Sequence, residues 1–152
     1  MRELLVVSTF ICLFQCGCSG ESFPEVLPVT GVVTHEGKPV AEATVNLIPT
    51  SEKGKSASGV TDADGKFAVK TYMSPTHTPE GAMSGDYLIT VQKMLVPEPP
   101  AGMTQWEVQA WSEKAGKPRS LLPKKYQSPE KSGLKLTVGT TPPEPLSLDL
   151  VD

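Results

Sequence analysis

Beyond Cys18 the sequence contains no cysteine. Its three cysteines, Cys12, Cys16 and Cys18, crowd into one short N-terminal stretch, so no disulfide framework can staple the rest of the chain. Histidine is nearly absent too. His35 and His77 stand alone, whereas common zinc sites take ligands as closely spaced pairs. Aromatic residues make up only 6% of the chain. Positive charge is outweighed: 14 Lys and Arg face 17 Asp and Glu, for a net charge of −3. That balance supplies no overall basic face for phosphates and argues against a nucleic-acid partner. No run of one charge sign stands out. No long apolar run occurs either. The longest, Leu4 to Phe14, is broken by Ser8 and Thr9 and falls short of the roughly 20 residues that cross a bilayer. A Gly-x-Ser-x-Gly elbow is missing, and the thiols are confined to the N-terminus, so a hydrolase of the usual kind lacks its nucleophile.

Proline and glycine are plentiful instead, at 15 and 13 residues. They favour turns and short strands over long helices. From Val29 onward, β-like runs alternate with turn signals. In "VTGVVTHEGKPV" the turn is "HEGK", with Gly37 able to take a positive φ and Pro39 restarting the chain. "ATVNLIP" places Ala43, Val45 and Leu47 on one face. "GVTDADGKFAVKTY" reads as two strand-like runs around "DADG", with Gly65 left-handed and Phe67 and Val69 pointing one way. "DYLITVQKM" sets Tyr87, Ile89 and Val91 against Thr90 and Gln92. "GLKLTV" directs Leu134, Leu136 and Val138 inward, and "PLSLDLV" directs Leu146, Leu148 and Leu150 inward. "DADG" also resembles the opening of a calcium loop, but the Glu such a loop requires is replaced by Met73, so the motif reads as a turn and no metal is expected.

These period-2 runs give seven candidate strands. Single-faced strands need a second layer, so the expected fold is all-β, a seven-stranded antiparallel β-sandwich over residues 29–151. Residues 95–126 form an insertion, too long for a simple hairpin loop. Within it "MTQWEVQAWSEKAGK" reads as a short helix stopped at Gly116.

The N-terminus is read separately. Arg2, an apolar core and the small residues "CGCSG" fit a secretory signal over residues 1–17. Its end resembles the lipobox of bacterial lipoproteins, in which the cysteine after the cut is lipidated, with palmitate among its acyl chains. Cys18 has Gly17 before it but Gln15 at the third position back. Cys16 has Leu13 at the third position back but Gln15 before it. The small residue at the cut favours Cys18, with Cys16 the alternative. Residues 18–28 then form a lipid-anchored linker.

The order of motifs resembles the carboxypeptidase-regulatory-like, transthyretin-like β-sandwich domains, which share an Ig-like Greek-key layout. Gly37, Lys38 and Pro39 match the first hairpin. Thr61, Asp62, Asp64, Gly65 and Phe67 match a T-D-x-D-G-x-F hairpin, and Gly85, Tyr87, Ile89 and Val91 match a G-x-Y strand. "LLPKKYQSPEKSGLKLTV" and the leucine-alternating C-terminus resemble small planctomycete-type lipoproteins. The resemblance spans residues 29–94 and 121–151 and leaves 95–120 unaccounted for. It implies an accessory or structural module without catalytic residues of its own.

The expected function is that of a non-enzymatic, lipid-anchored protein of the bacterial cell envelope, periplasmic or on the cell surface. It would act in structure or as a protein-interaction module, with the membrane and an envelope protein or polysaccharide as partners. The alternative is a carbohydrate- or peptide-binding module using the insertion, where Trp106 and Trp111, with Tyr126 downstream, are the candidate ligand contacts. No catalytic residue and no cofactor are expected.

Overall fold

Residues 23–152 are described by the computed structural model of the protein. The signal segment 1–17 and residues 18–22 of the linker, and with them both candidate lipidation sites, Cys18 and its alternative Cys16, lie outside the described residues. Short strands dominate: β1 (Val26–Leu27), β2 (Thr30–His35), β3 (Lys38–Pro39), β4 (Thr44–Pro49), β5 (Ala57–Val60), β6 (Lys66–Ala68), β7 (Lys70–Thr71), β8 (Ala82–Met83), β9 (Gly85–Gln92) and β10 (Met94–Leu95). Helix α1 (Gln105–Lys114) and β11 (Arg119–Ser120) follow. A 3-10 turn (Lys124–Gln127), α2 (Pro129–Ser132), β12 (Lys135–Val138) and β13 (Leu146–Leu150) complete the chain. The protein is mostly β, as the alternation predicts.

The strands form two main sheets. One runs β12-β9-β4-β5-β7 and is antiparallel throughout. The other centres on β2. Strand β13 lies along one edge of it, while β6 and β3 share the other edge, pairing with its beginning and its end. The β13–β2 pairing is parallel, from Leu146↔Gly31 to Leu150↔His35. An all-antiparallel arrangement is therefore corrected at this one pair. A strand that returns from far along the chain is free to pair in either sense, whereas a tight hairpin is not. Two small ribbons, β1–β8 and β10–β11, complete the pairing among the described residues.

Alternation sets what is buried. Val45 and Leu47 of β4, Tyr87, Ile89 and Val91 of β9, and Leu136 and Val138 of β12 are buried from one sheet. Val33 of β2, Phe67 of β6, and Leu148 and Leu150 of β13 are buried from the other. Together they form a single apolar cluster. Each such side chain contributes about 1.5–3 kcal/mol by leaving water. The cluster extends under the 3-10 turn, where Leu122 and Tyr126 are also buried.

Turn chemistry follows the sequence. His35 and Lys38 close a two-residue hairpin loop in which Glu36 and Gly37 have φ of 51° and 75°. Positive φ at both central positions is what a type I′ turn requires. At "DADG" the Asp62 carboxylate accepts the N–H groups of Asp64 at 2.9 Å and Lys66 at 2.8 Å, and Gly65 adopts φ 75°. The aspartate stabilises its own turn. Val26 and Leu27, which composition assigns to the linker, already pair with β8, so the folded part begins earlier than residue 29.

Candidate functional site

The segment after β9 leaves the sheets as an arm. Its root is the β10–β11 ribbon, with Met94 opposite Ser120 and Leu95 opposite Arg119. The Leu121 N–H donates to the Lys93 carbonyl at 2.8 Å and extends the same register by one pair. Directly paired residues share a face of a ribbon. Lys93, Leu95, Arg119 and Leu121 therefore lie on one face, alternating cation and leucine.

Beyond the ribbon, Pro97, Pro99 and Pro100 forbid regular structure until Gly102, at φ 89°, turns the chain into α1. Thr104 caps the helix. Its backbone N–H and its hydroxyl both donate to Glu107 Oε2, at 2.8 and 2.7 Å. Those two hydrogen bonds, side chain first, hold the Glu107 carboxyl below its usual range. At the other end the Ala115 N–H donates to the Trp111 carbonyl, and Gly116 at φ 85° stops the helix where the sequence predicts.

No residue of α1 is buried. The sequence candidates are distributed accordingly. Trp106 is 71% exposed, and Trp111 is half-buried. Five residues apart on a helix, they point about 140° apart, so they do not share a face. Tyr126 is separate from both. It is 4% exposed and belongs to the core, with its hydroxyl bonded to the backbone of Val151. The structure does not gather the three into one aromatic platform.

Five of the exposed large apolar residues belong to the arm: Met94, Leu95, Val96, Trp106 and Leu121. Cationic residues lie among them. Every charged residue from position 114 to 125 is basic, namely Lys114, Lys117, Arg119, Lys124 and Lys125. The spacing is too loose to read as a charge run, and the ribbon that gathers part of it has only two residues per strand. A cleft of about 450 Å³ lies at the arm's root, lined by His35, Lys38, Lys93, Leu121 and Leu122. A groove of about 660 Å³ elsewhere, lined by Val32, Val60, Asp62, Lys66 and Phe67, contains none of the predicted site residues.

The two histidines have partners. His35 Nε2 lies 3.2 Å from Asp152 Oδ1, and the His77 ring stacks on Phe23 with centroids 4.3 Å apart. Among the described residues, His35, Glu36 and Asp152 are the group that could meet a metal, with donor atoms within 4.8 Å of one another. Glu36 and Asp152 are exposed. Burial raises the Tyr87 hydroxyl's pKa, and the hydroxyl donates to the Met83 carbonyl at 3.0 Å.

Residues 29–121 match DUF6795, a domain of unknown function. The chain belongs to this family. The DUF6795 match runs through the arm and ends at Leu121, where β11 rejoins the body, so the arm is part of the family's domain. No curated protein and no solved structure gives a significant match to the chain.

Proposed function

We propose that this DUF6795 protein is a non-enzymatic, lipid-anchored module of the bacterial cell envelope that acts through its arm. The carrying observation is the arm itself: a helix with no buried residue on a ribbon that exposes Leu95 and Leu121. Apolar side chains held out on a projecting element are expected of an interaction surface. The lipid-anchor reading rests on the "CGCSG" stretch and on Cys18, with Cys16 as the alternative. The two sheets sharing one apolar cluster support a transthyretin-like or carboxypeptidase-regulatory-like sandwich. The non-enzymatic reading is supported by the structural partners of His35 and His77.

Intact-mass analysis of membrane-extracted protein tests the anchor. A lipidated chain beginning at Cys18 is expected, and an unlipidated soluble product would refute it. Photo-crosslinking from the arm tests the interaction role, with a crosslinkable residue at Leu95 expected to capture a partner and one at Ser147, on β13, expected to capture none. A second reading, ligand binding around Trp106 and Trp111, is favoured only by the exposure of Trp106. Quenching of tryptophan fluorescence by envelope oligosaccharides would support it.

A further inference from the structure

We propose that the cation–leucine face of the β10–β11 ribbon docks on an anionic bilayer surface, giving the protein a membrane contact separate from its N-terminus. The inference deepens the envelope reading above and rests on it for the protein's location, but the docking itself does not require the anchor.

Three observations carry it. First, the face alternates chemistry. Lys93 and Arg119 are interleaved with Leu95 and Leu121, which remain 45% and 48% exposed. A bilayer surface offers both counterparts in one place, phosphates for the cations and an apolar interior for the leucines. An acidic protein or polysaccharide surface offers the first without a continuous layer of the second. Second, the cations are free of ion pairs among the described residues, though Lys125 lies over the Tyr126 ring, 5.1 Å from its centroid. The ion pairs among the described residues involve His35, Lys66 and Lys70 and none of the arm's basic residues. From position 114 to 125 five basic residues accumulate with no acidic one, in a chain whose net charge is −3. Within the arm, Lys93, Lys114, Lys117 and Arg119 face Glu98, Glu107 and Glu113, so the basic excess sits at the returning strand and the turn after it rather than over the whole arm.

Third, the geometry permits contact from both ends. The chain enters the fold at Val26, paired to Met83 just before β9 begins, whereas the arm leaves where β9 ends. The eight residues of β9 separate the two ends by about 26 Å. Phe23 is held against His77, so the chain ahead of it, residues 19–22, spans roughly 14 Å at most. Only a domain lying on its side can therefore bring the arm to the same surface that holds its N-terminus. The tether would raise the arm's effective concentration at that surface.

The test uses the full chain with Leu121→Trp as reporter in a Trp106→Phe, Trp111→Phe background. Vesicles are phosphatidylcholine alone or with phosphatidylglycerol added, the latter with and without brominated acyl chains. With phosphatidylglycerol the reporter's emission is expected to shift blue and to be quenched by the brominated lipid. High salt should abolish both effects. With phosphatidylcholine alone the reporter should stay open to iodide. Lys117→Gln, Arg119→Gln and Lys124→Gln together should weaken the effect on the order of 100-fold, at roughly five-fold per cation, with an unchanged melting temperature.

Equal exposure in both vesicle types would overturn the proposal. So would burial that ignores salt, or burial without vesicles, which would indicate self-association. If the wild-type chain does not partition onto neutral vesicles, the anchor reading falls, and the arm is still judged by the difference that phosphatidylglycerol makes.

Discussion

The hydroxyl of Tyr126 holds the backbone of Val151 from both sides, accepting its N–H at 2.9 Å and donating to its carbonyl at 3.1 Å. A side chain thereby takes the place of a neighbouring strand just beyond β13. Tyr126→Phe keeps the buried ring and loses both bonds. The expected cost is about 1–2 kcal/mol, a fall of several degrees in Tm. Faster amide exchange at Val151 than in β9 would localise the loss. Unchanged exchange would show that the clasp contributes nothing.

Gly65 combines a φ of 75° with a crowded site, where an added Cβ would lie 2.5 Å from the Val33 carbonyl oxygen. Gly65→Ala should therefore destabilise by about 2–4 kcal/mol, from left-handed strain and overpacking together. A denaturant midpoint lowered at constant m-value is the expected result. Gly37 has the same φ but nothing near its Cβ, so Gly37→Ala should cost only the strain.

Trp106→Ala should leave Tm unchanged, because the side chain is 71% exposed on a helix without buried residues. In the wild type, iodide should quench Trp106 more than Trp111. Single-tryptophan variants measured separately would check this, and equal protection of both would contradict the geometry.

The cap of α1 should be pH-sensitive. The Thr104 hydrogen bonds lower the Glu107 pKa in the folded state. A lowered carboxyl pKa adds stability that is present above the unfolded value and lost as pH falls through the folded one. Below the ordinary glutamate range, α1 should therefore fray from its first turn while the sheets persist. Amide shifts of residues 104–108 followed against pH would show it, and Glu107→Gln should flatten the response.

The strands were the most legible part of the sequence. Val45 and Leu47, Tyr87, Ile89 and Val91, and Leu148 and Leu150 are buried because a period of two leaves them a single dry face. The same period says nothing about partners, so the parallel pairing of β13 with β2 was hidden. The arm was half legible. Thr104, Glu107 and Gly116 are local helix signals, and α1 lies between them. Two-residue strands carry no period, so the ribbon that pairs Leu95 with Arg119 and sets Lys93 beside Leu121 left no trace. The place of Tyr126 was equally invisible, since an aromatic residue in a polar stretch reads as exposed until a tertiary neighbour covers it. Glu36, with its φ of 51°, carries no sign of the left-handed conformation that its place in a two-residue loop imposes.

The parallel pair also bears on when the domain can fold. Gly31 and Leu146, partners at the start of the β2–β13 ladder, are separated by nearly the whole domain. One long edge of β2 therefore stays open until residue 150 has been made and released. Closing so long a loop is slow and leaves apolar strand edges uncovered meanwhile. Until then β2 offers its open edge to any other strand that can pair with it, so the last strand of the chain is also the one that closes the domain against mispairing.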